Sequence, residues 1–278
     1  MTLGVLRRAI RWRGILAVVL LLPSAAHAQA GPEPRLVFSF FGGIAKGPKL
    51  YNIPSQPLAL VFQTDLFDTL ALRRTLTTAP TAGINATLYQ GSGFGLAAEI
   101  VYVGLRMDDT CEMLYEHEDP QRRNDQVCND ISQRVLTVSN VGITLGGAYR
   151  LWGRNPVSPY ARLQGGIGIR STSIVETAGR YNAVGIDGVI RPTERLVIRD
   201  DSNVAVKPFF VGALGLDFTI GSGYLIRAEI RDQLVLLERP TGPADELARA
   251  TVESFWGHAP ALLFGFGIVL EQKRGRRY

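Results

Sequence analysis

The sequence predicts an all-β chain closed into one antiparallel, up-and-down transmembrane barrel. Three observations predict it. Apolar and polar residues alternate through long runs over most of the chain, the period-2 sign of strands with two unlike faces. The connections between those runs alternate between short Gly/Ser/Asn/Pro turns and long polar segments, which places every long segment at one end. The chain also opens on a leader suited to export.

Arg7, Arg8, Arg11 and Arg13 give Met1–Ala28 a positive start with no acidic residue, and Ile15–Leu22 follows as an apolar core. That core is too short to span a bilayer, which takes about 20 apolar residues. Pro23 ends it, and Ala26-His27-Ala28 offers the small-x-small pattern of a cleavage site, with Gln29 as the mature start. Residues 1–28 are therefore expected to be a removed signal peptide and 29–278 a single barrel domain. Four of the 30 Lys and Arg residues lie in the leader, so the formal charge of +5 falls to +1 against 25 acidic residues. A chain so nearly neutral gives no warrant for nucleic-acid binding. Its 30 glycines recur inside alternating runs, where small barrels use them to bend strands and relieve a crowded lumen.

The expected strands, in order, are Leu36–Ile44, Thr81–Tyr89, Phe94–Arg106, Val135–Leu151, Tyr160–Ser173, Val204–Ile220, Tyr224–Leu237 and Ala261–Gln272. The pattern is clearest in the seventh, where Tyr224, Ile226, Ala228 and Ile230 alternate with Arg227, Glu229 and Arg231. Eight is the smallest strand number of a bacterial outer-membrane barrel. Leu58–Phe62 and Leu66–Leu76 are apolar enough to be two more strands or a short helix, which would make ten. Short turns are expected at residues 90–93, 153–159 and 221–223, and long polar loops over Ala45–Pro80, Met107–Arg134, Thr172–Asn203 and Glu238–Ser254. Tyr89, Phe94, Tyr149, Trp152, Tyr160, Phe218 and Tyr224 gather near the short turns, where an interfacial aromatic girdle belongs. Tyr89, Trp152 and Tyr160 break the apolar parity of their strands.

Cys111 and Cys128 are the only cysteines, and in an exported chain they are expected to form one disulfide. No paired-ligand spacing surrounds them, so no metal or other cofactor is expected. The acidic stretch from Asp108 to Asp119 and the Arg-rich stretch Arg191–Arg199 read as solvated loops, the latter with a geometry suited to lipopolysaccharide phosphates. If the apolar face meets lipid, the opposite face carries Glu99, Arg150, Arg162, Arg170, Asp217, Arg227, Glu229 and Arg231. A lumen of eight strands is just wide enough for side chains to fill, so these charges should pair. Alternation alone does not say which face is inside. With the apolar face turned inward, the same pattern would make a soluble, lipocalin-like ligand-binding barrel. Catalysis finds thin support: the mature chain has only His117 and His258, with Ser254 four residues before the latter. No enzyme activity is expected.

The leader, the amphipathic strands and the short-long loop alternation resemble the small outer-membrane β-barrels, including the OmpA transmembrane domain and the opacity-type surface proteins. Tyr224–Arg231 is similar to their penultimate-strand pattern, and the resemblance spans approximately Arg35–Gln272. Such barrels usually end on an aromatic at the last residue of the closing strand. Here a basic tail, Glu271–Tyr278, follows the strand. The resemblance implies a bacterial outer-membrane location, among lipid and lipopolysaccharide. It also implies a structural or surface-interaction role with long extracellular loops that meet an external ligand. A small porin-like channel is the alternative.

Overall fold

The computed structural model describes residues 35–90, 93–152, 155–200, 206–221 and 223–271. The leader (1–28), the basic tail beyond Glu271 and parts of the short turns lie outside the described residues. The described residues form eleven strands and one helix: β1 (Arg35–Lys46), β2 (Lys49–Ala59), β3 (Phe67–Tyr89), β4 (Phe94–Tyr115), α1 (Arg123–Gln133), β5 (Leu136–Arg150), β6 (Val157–Arg170), β7 (Thr177–Val184), β8 (Ile190–Ile198), β9 (Val206–Ile220), β10 (Tyr224–Pro240) and β11 (Val252–Glu271).

Eight strands close a ring. They run in the order β1, β3, β4, β5, β6, β9, β10, β11, and β11 pairs back onto β1. Following hydrogen-bonded partners once around from Ser39 leads through Asn85, Glu99, Thr144, Gly166, Phe209 and Val235 to Gly257. Ser39 itself pairs with Gly267, ten residues away along β11. A stagger of ten over eight strands tilts each strand by roughly 40° and leaves a lumen that side chains can fill. Glycine makes the close β5–β6 approach: a Cβ on inward-facing Gly146 or Gly166 would lie 2.1 Å or 1.9 Å from a carbonyl oxygen of the partner strand. Gly93, with φ 84°, supplies the left-handed residue that starts β4.

Two parts of the sequence reading change. The long segments are mostly ordered structure: β2 continues β1 past Gly47-Pro48, and β3 and β4 rise far beyond the ring. α1 and the β7–β8 hairpin pack above them. The extra apolar segments thus lengthen existing strands and give an eight-stranded barrel. The aromatic girdle also changes, because Tyr89 and Tyr160 face inward and are buried. Trp152 sits outside the strands, exposed, at φ 51°.

Candidate functional site: charged lumen, folded cap and outer wall

The apolar face points outward. Phe40, Leu96, Leu145, Leu163, Leu214 and Phe264 are all more than half exposed, while the alternate residues of the same strands are buried. This orientation is the reverse of what a soluble ligand-binding barrel requires.

All eight charges expected on the polar face are buried and turn into the lumen. Four of them close a cycle. Arg162 meets Glu99 at 2.6 Å and Glu229 at 2.8 Å, and Arg231 meets each of the same carboxylates at 2.6 Å. Alternating charges around a ring give each ion two partners, which is how charge is held in a low-dielectric interior. The Tyr160 hydroxyl donates to Glu229. Phe41 lies 4.5 Å beneath the Arg231 guanidinium. Towards the short-turn end, Arg227 holds Asp217 through two hydrogen bonds of 2.8 and 3.1 Å, and Arg150 approaches the same carboxylate at 3.8 Å. Tyr160 and Tyr89 stack against Arg227 and Arg150. Arg170 stands apart, nearer the long-loop end, sharing Glu238 with Lys207. Broken parity at Tyr89 and Tyr160 was the available signal that both belong to the lumen.

Apolar side chains flank the ionic zone on both sides, with the buried amides of Asn140, Gln164 and Gln233 among those on the long-loop side. Val37, Tyr89, Ala97, Ala148 and Leu225 cluster at the short-turn end. Val101, Val103, Phe209, Val211 and Val235 lie above the ring and continue into the main apolar core. The void among Phe41, Arg227, Glu229, Arg231 and Leu263 has no room for a water molecule.

The segments expected as solvated loops form a cap on that core. Leu70, Leu72 and Leu76 of β3 face inward with Leu50 and Ile53 of β2, and Val127, Cys128 and Ile131 of α1 join them. A disulfide between Cys111 and Cys128 ties α1 to the top of β4. Asp109, expected in a solvated acidic run, instead receives two hydrogen bonds from the fully buried Arg74, at 2.6 and 2.7 Å. Arg74 also donates to the carbonyls of Ile174 and Glu176. Burial pushes the Tyr51 hydroxyl above its ordinary range, while the nearby Arg74 guanidinium pulls it down. Arg195, from the Arg-rich stretch, donates to Asn124 Oδ1 at 2.7 Å and to the Ala59 carbonyl at 2.6 Å. It lines an external cleft of about 650 Å³ with Pro57, Phe67, Leu196, Asp245 and Leu247.

One pair was not visible in the sequence. His258 Nδ1 lies 2.6 Å from Asp232 Oδ2, on the outward faces of β11 and β10. Ser254 is placed opposite Glu238, away from that contact. Among the described residues no group of His, Cys, Asp and Glu is arranged to hold a metal ion.

A closed eight-stranded ring with an apolar outer wall and charged residues buried inside it defines a transmembrane β-barrel of the bacterial outer-membrane type. No protein family and no curated protein matches the chain. Among solved structures it is similar to the outer membrane protein OprG from Pseudomonas aeruginosa, at 12% identity and a TM-score of 0.41, over 87% of this chain and 98% of that one. The outer membrane protein AlkL aligns at 12% identity and a TM-score of 0.40, over 90% and 96%. Neisserial surface protein A aligns at 11% and 0.33, over 84% and 96%.

Proposed function

We propose that the protein is a non-conducting surface scaffold of the outer membrane, exported by its leader and acting through its extracellular cap. The observation that carries this reading is the closed lumen: a cyclic ion-pair network is flanked on both sides by apolar side chains, with the disulfide-tied cap above. Opening a path would strip partners from charges buried in low dielectric, which costs several kcal/mol per ion. A rigid cap bearing an external cleft gives a binding surface to a partner outside the cell, the usual division between scaffold and recognition. This organisation favours surface interaction over the porin-like alternative.

Purified protein in planar bilayers tests the reading. No stepwise conductance is expected, and discrete single-channel openings would replace the scaffold by a channel. Fractionation tests the location: recovery as a folded, detergent-free monomer in the soluble periplasmic fraction would remove the membrane assignment. N-terminal sequencing of the exported protein should read from Gln29.

A further inference from the structure

We propose that the outer wall carries a headgroup site for a phosphorylated glycolipid of the outer leaflet, built by Lys46, Thr78, Asp232 and His258 around Pro260. The site rests on the membrane reading above and names a lipid partner for it.

The register assembles the site. Asp232 pairs with Pro260, and Ala45 pairs with Ala261, so Lys46 lies next along the same row. Lys46 in turn pairs with Thr78. A polar row therefore crosses β10, β11, β1 and β3 at one level of the wall. Two strand spacings separate Lys46 from Asp232, about 10 Å, with the short Pro260 ring between them. The backbone ladder between the first and last strands ends just below, at Ala45 and Ala261. The row thus marks the top of the closing seam.

Its level is that of a lipid headgroup. Immediately below on the same faces are Ile44, Leu262 and Ile230, each exposed and apolar. Trp256, two residues above His258, packs on Phe210 with ring centroids 5.6 Å apart, as aromatics do at the membrane–water boundary. A shallow groove of about 1100 Å³ starts between the polar row and Ile230, Leu262 and Ile44 and continues along the wall across β9, β6 and β5, past Leu214 and Leu163, to Phe94.

Charge and hydrogen-bonding capacity point to the ligand. Lys46 has no carboxylate partner among the described residues. Asp232 uses Oδ2 on His258, whereas its Oδ1 is buried and accepts no hydrogen bond. A ligand that completes the site brings an anion for Lys46 and an O–H or N–H donor for Asp232, with acyl chains for the groove. Phosphate, sugar hydroxyls and amide-linked acyl chains combine these in the lipid A portion of lipopolysaccharide, which fills the leaflet at the long-loop end.

Native mass spectrometry of the intact purified protein in detergent tests this, with a deep-rough lipopolysaccharide added in graded amounts. The comparison arms are dephosphorylated lipid A, phosphatidylethanolamine and inorganic phosphate. The wild type should retain one lipopolysaccharide, and Lys46→Ala should weaken retention about tenfold, the effect of losing one charge-assisted contact. Asp232→Asn should weaken it by a smaller factor, and Arg180→Ala, exposed on the distant β7, should leave it unchanged. Dephosphorylated lipid A should bind the wild type as weakly as lipopolysaccharide binds Lys46→Ala. Equal retention by wild type and both wall variants overturns the site, as does equal retention of phosphatidylethanolamine or displacement by inorganic phosphate. Heat-shifted migration on gels confirms that each variant is folded. Failure of the membrane reading would show separately, as protein that stays folded in solution without detergent.

Discussion

Inside the membrane belt and inside the cap, the same strands bury opposite kinds of residue. On β4 the inward face carries Glu99 at the level of the ion ring, then Val101, Val103, Leu105 and Met107 above it. The outward face of β4 runs the other way, from Leu96, Ile100 and Tyr102 to Arg106, Asp108 and Thr110. β10 repeats the change, with Arg227, Glu229, Arg231 and Gln233 inward below and Val235 and Leu237 inward above. What lies outside the wall explains the exchange. Hydrocarbon takes the apolar side chains in the belt, leaving the lumen to groups that satisfy one another. Water takes the polar ones above it, and the apolar side chains move inside. The level where a strand exchanges its faces is the membrane boundary.

The largest effect should come from breaking the lumen ring. Glu229→Ala leaves Arg162, Arg231 and the Tyr160 hydroxyl short of a buried partner at once. Removing one member of a buried ion network costs about 3–5 kcal/mol. Urea unfolding of the protein in lipid vesicles, followed by heat-shifted migration, should show a lower midpoint for the whole barrel. An unchanged midpoint would mean that the ring contributes packing alone.

Two substitutions on one face of β4 sharpen the boundary. Ile100→Arg puts a charge against hydrocarbon and should destabilise by about 2–4 kcal/mol near the midplane. Thr110→Arg, outward on the same strand but above the exchange, should stay within about 0.5 kcal/mol, as surface changes do. Equal losses at the two positions would show that the exchange of faces does not track the bilayer.

The cap offers a separable test. Cys111→Ser with Cys128→Ser removes a bridge across a separation of 17 residues, worth about 3 kcal/mol in the chain-entropy model. Because that bridge ties α1 to β4 above the belt, the loss should be local. Limited proteolysis should begin to cut between Tyr115 and Arg134 while the barrel keeps its heat-shifted migration. Loss of the whole fold would instead couple cap and barrel tightly.

Much of the barrel was legible because period-2 alternation survives in every ring strand, and parity alone puts Glu99, Arg162, Glu229 and Arg231 on one face. Their partners were not legible. Arg162 reaches Glu229 across 67 residues of chain, and Arg231 reaches Glu99 across 132, separations fixed by the closure stagger. The cap was missed for another reason. Leu70, Leu72 and Leu76 alternate as clearly as any membrane strand, but their apolar side is the inward one, and alternation does not say what covers it. Helix α1 shows only Val127, Cys128 and Ile131 at helical spacing inside a polar segment, too short a stripe to separate from a loop. The Asp232–His258 contact needs the register of β10 on β11, which no single strand contains.

Within the lumen, the smaller effect should follow from Tyr160→Phe, and it separates hydrogen bonding from charge in the ring. The substitution keeps the aromatic face that lies 4.5 Å from the Arg227 guanidinium and deletes only the hydroxyl that donates to Glu229. Glu229 still accepts from Arg162 at 2.8 Å and from Arg231 at 2.6 Å, so no charge is stranded. One hydrogen bond to a carboxylate that keeps two cationic partners is worth about 1.5 kcal/mol, the low end for a bond to a charged group. The same urea titration should therefore shift by roughly a third to a half of the Glu229→Ala shift. Equal shifts for Tyr160→Phe and Glu229→Ala would assign the tyrosine, rather than the arginines, the main part in holding that carboxylate inside the belt.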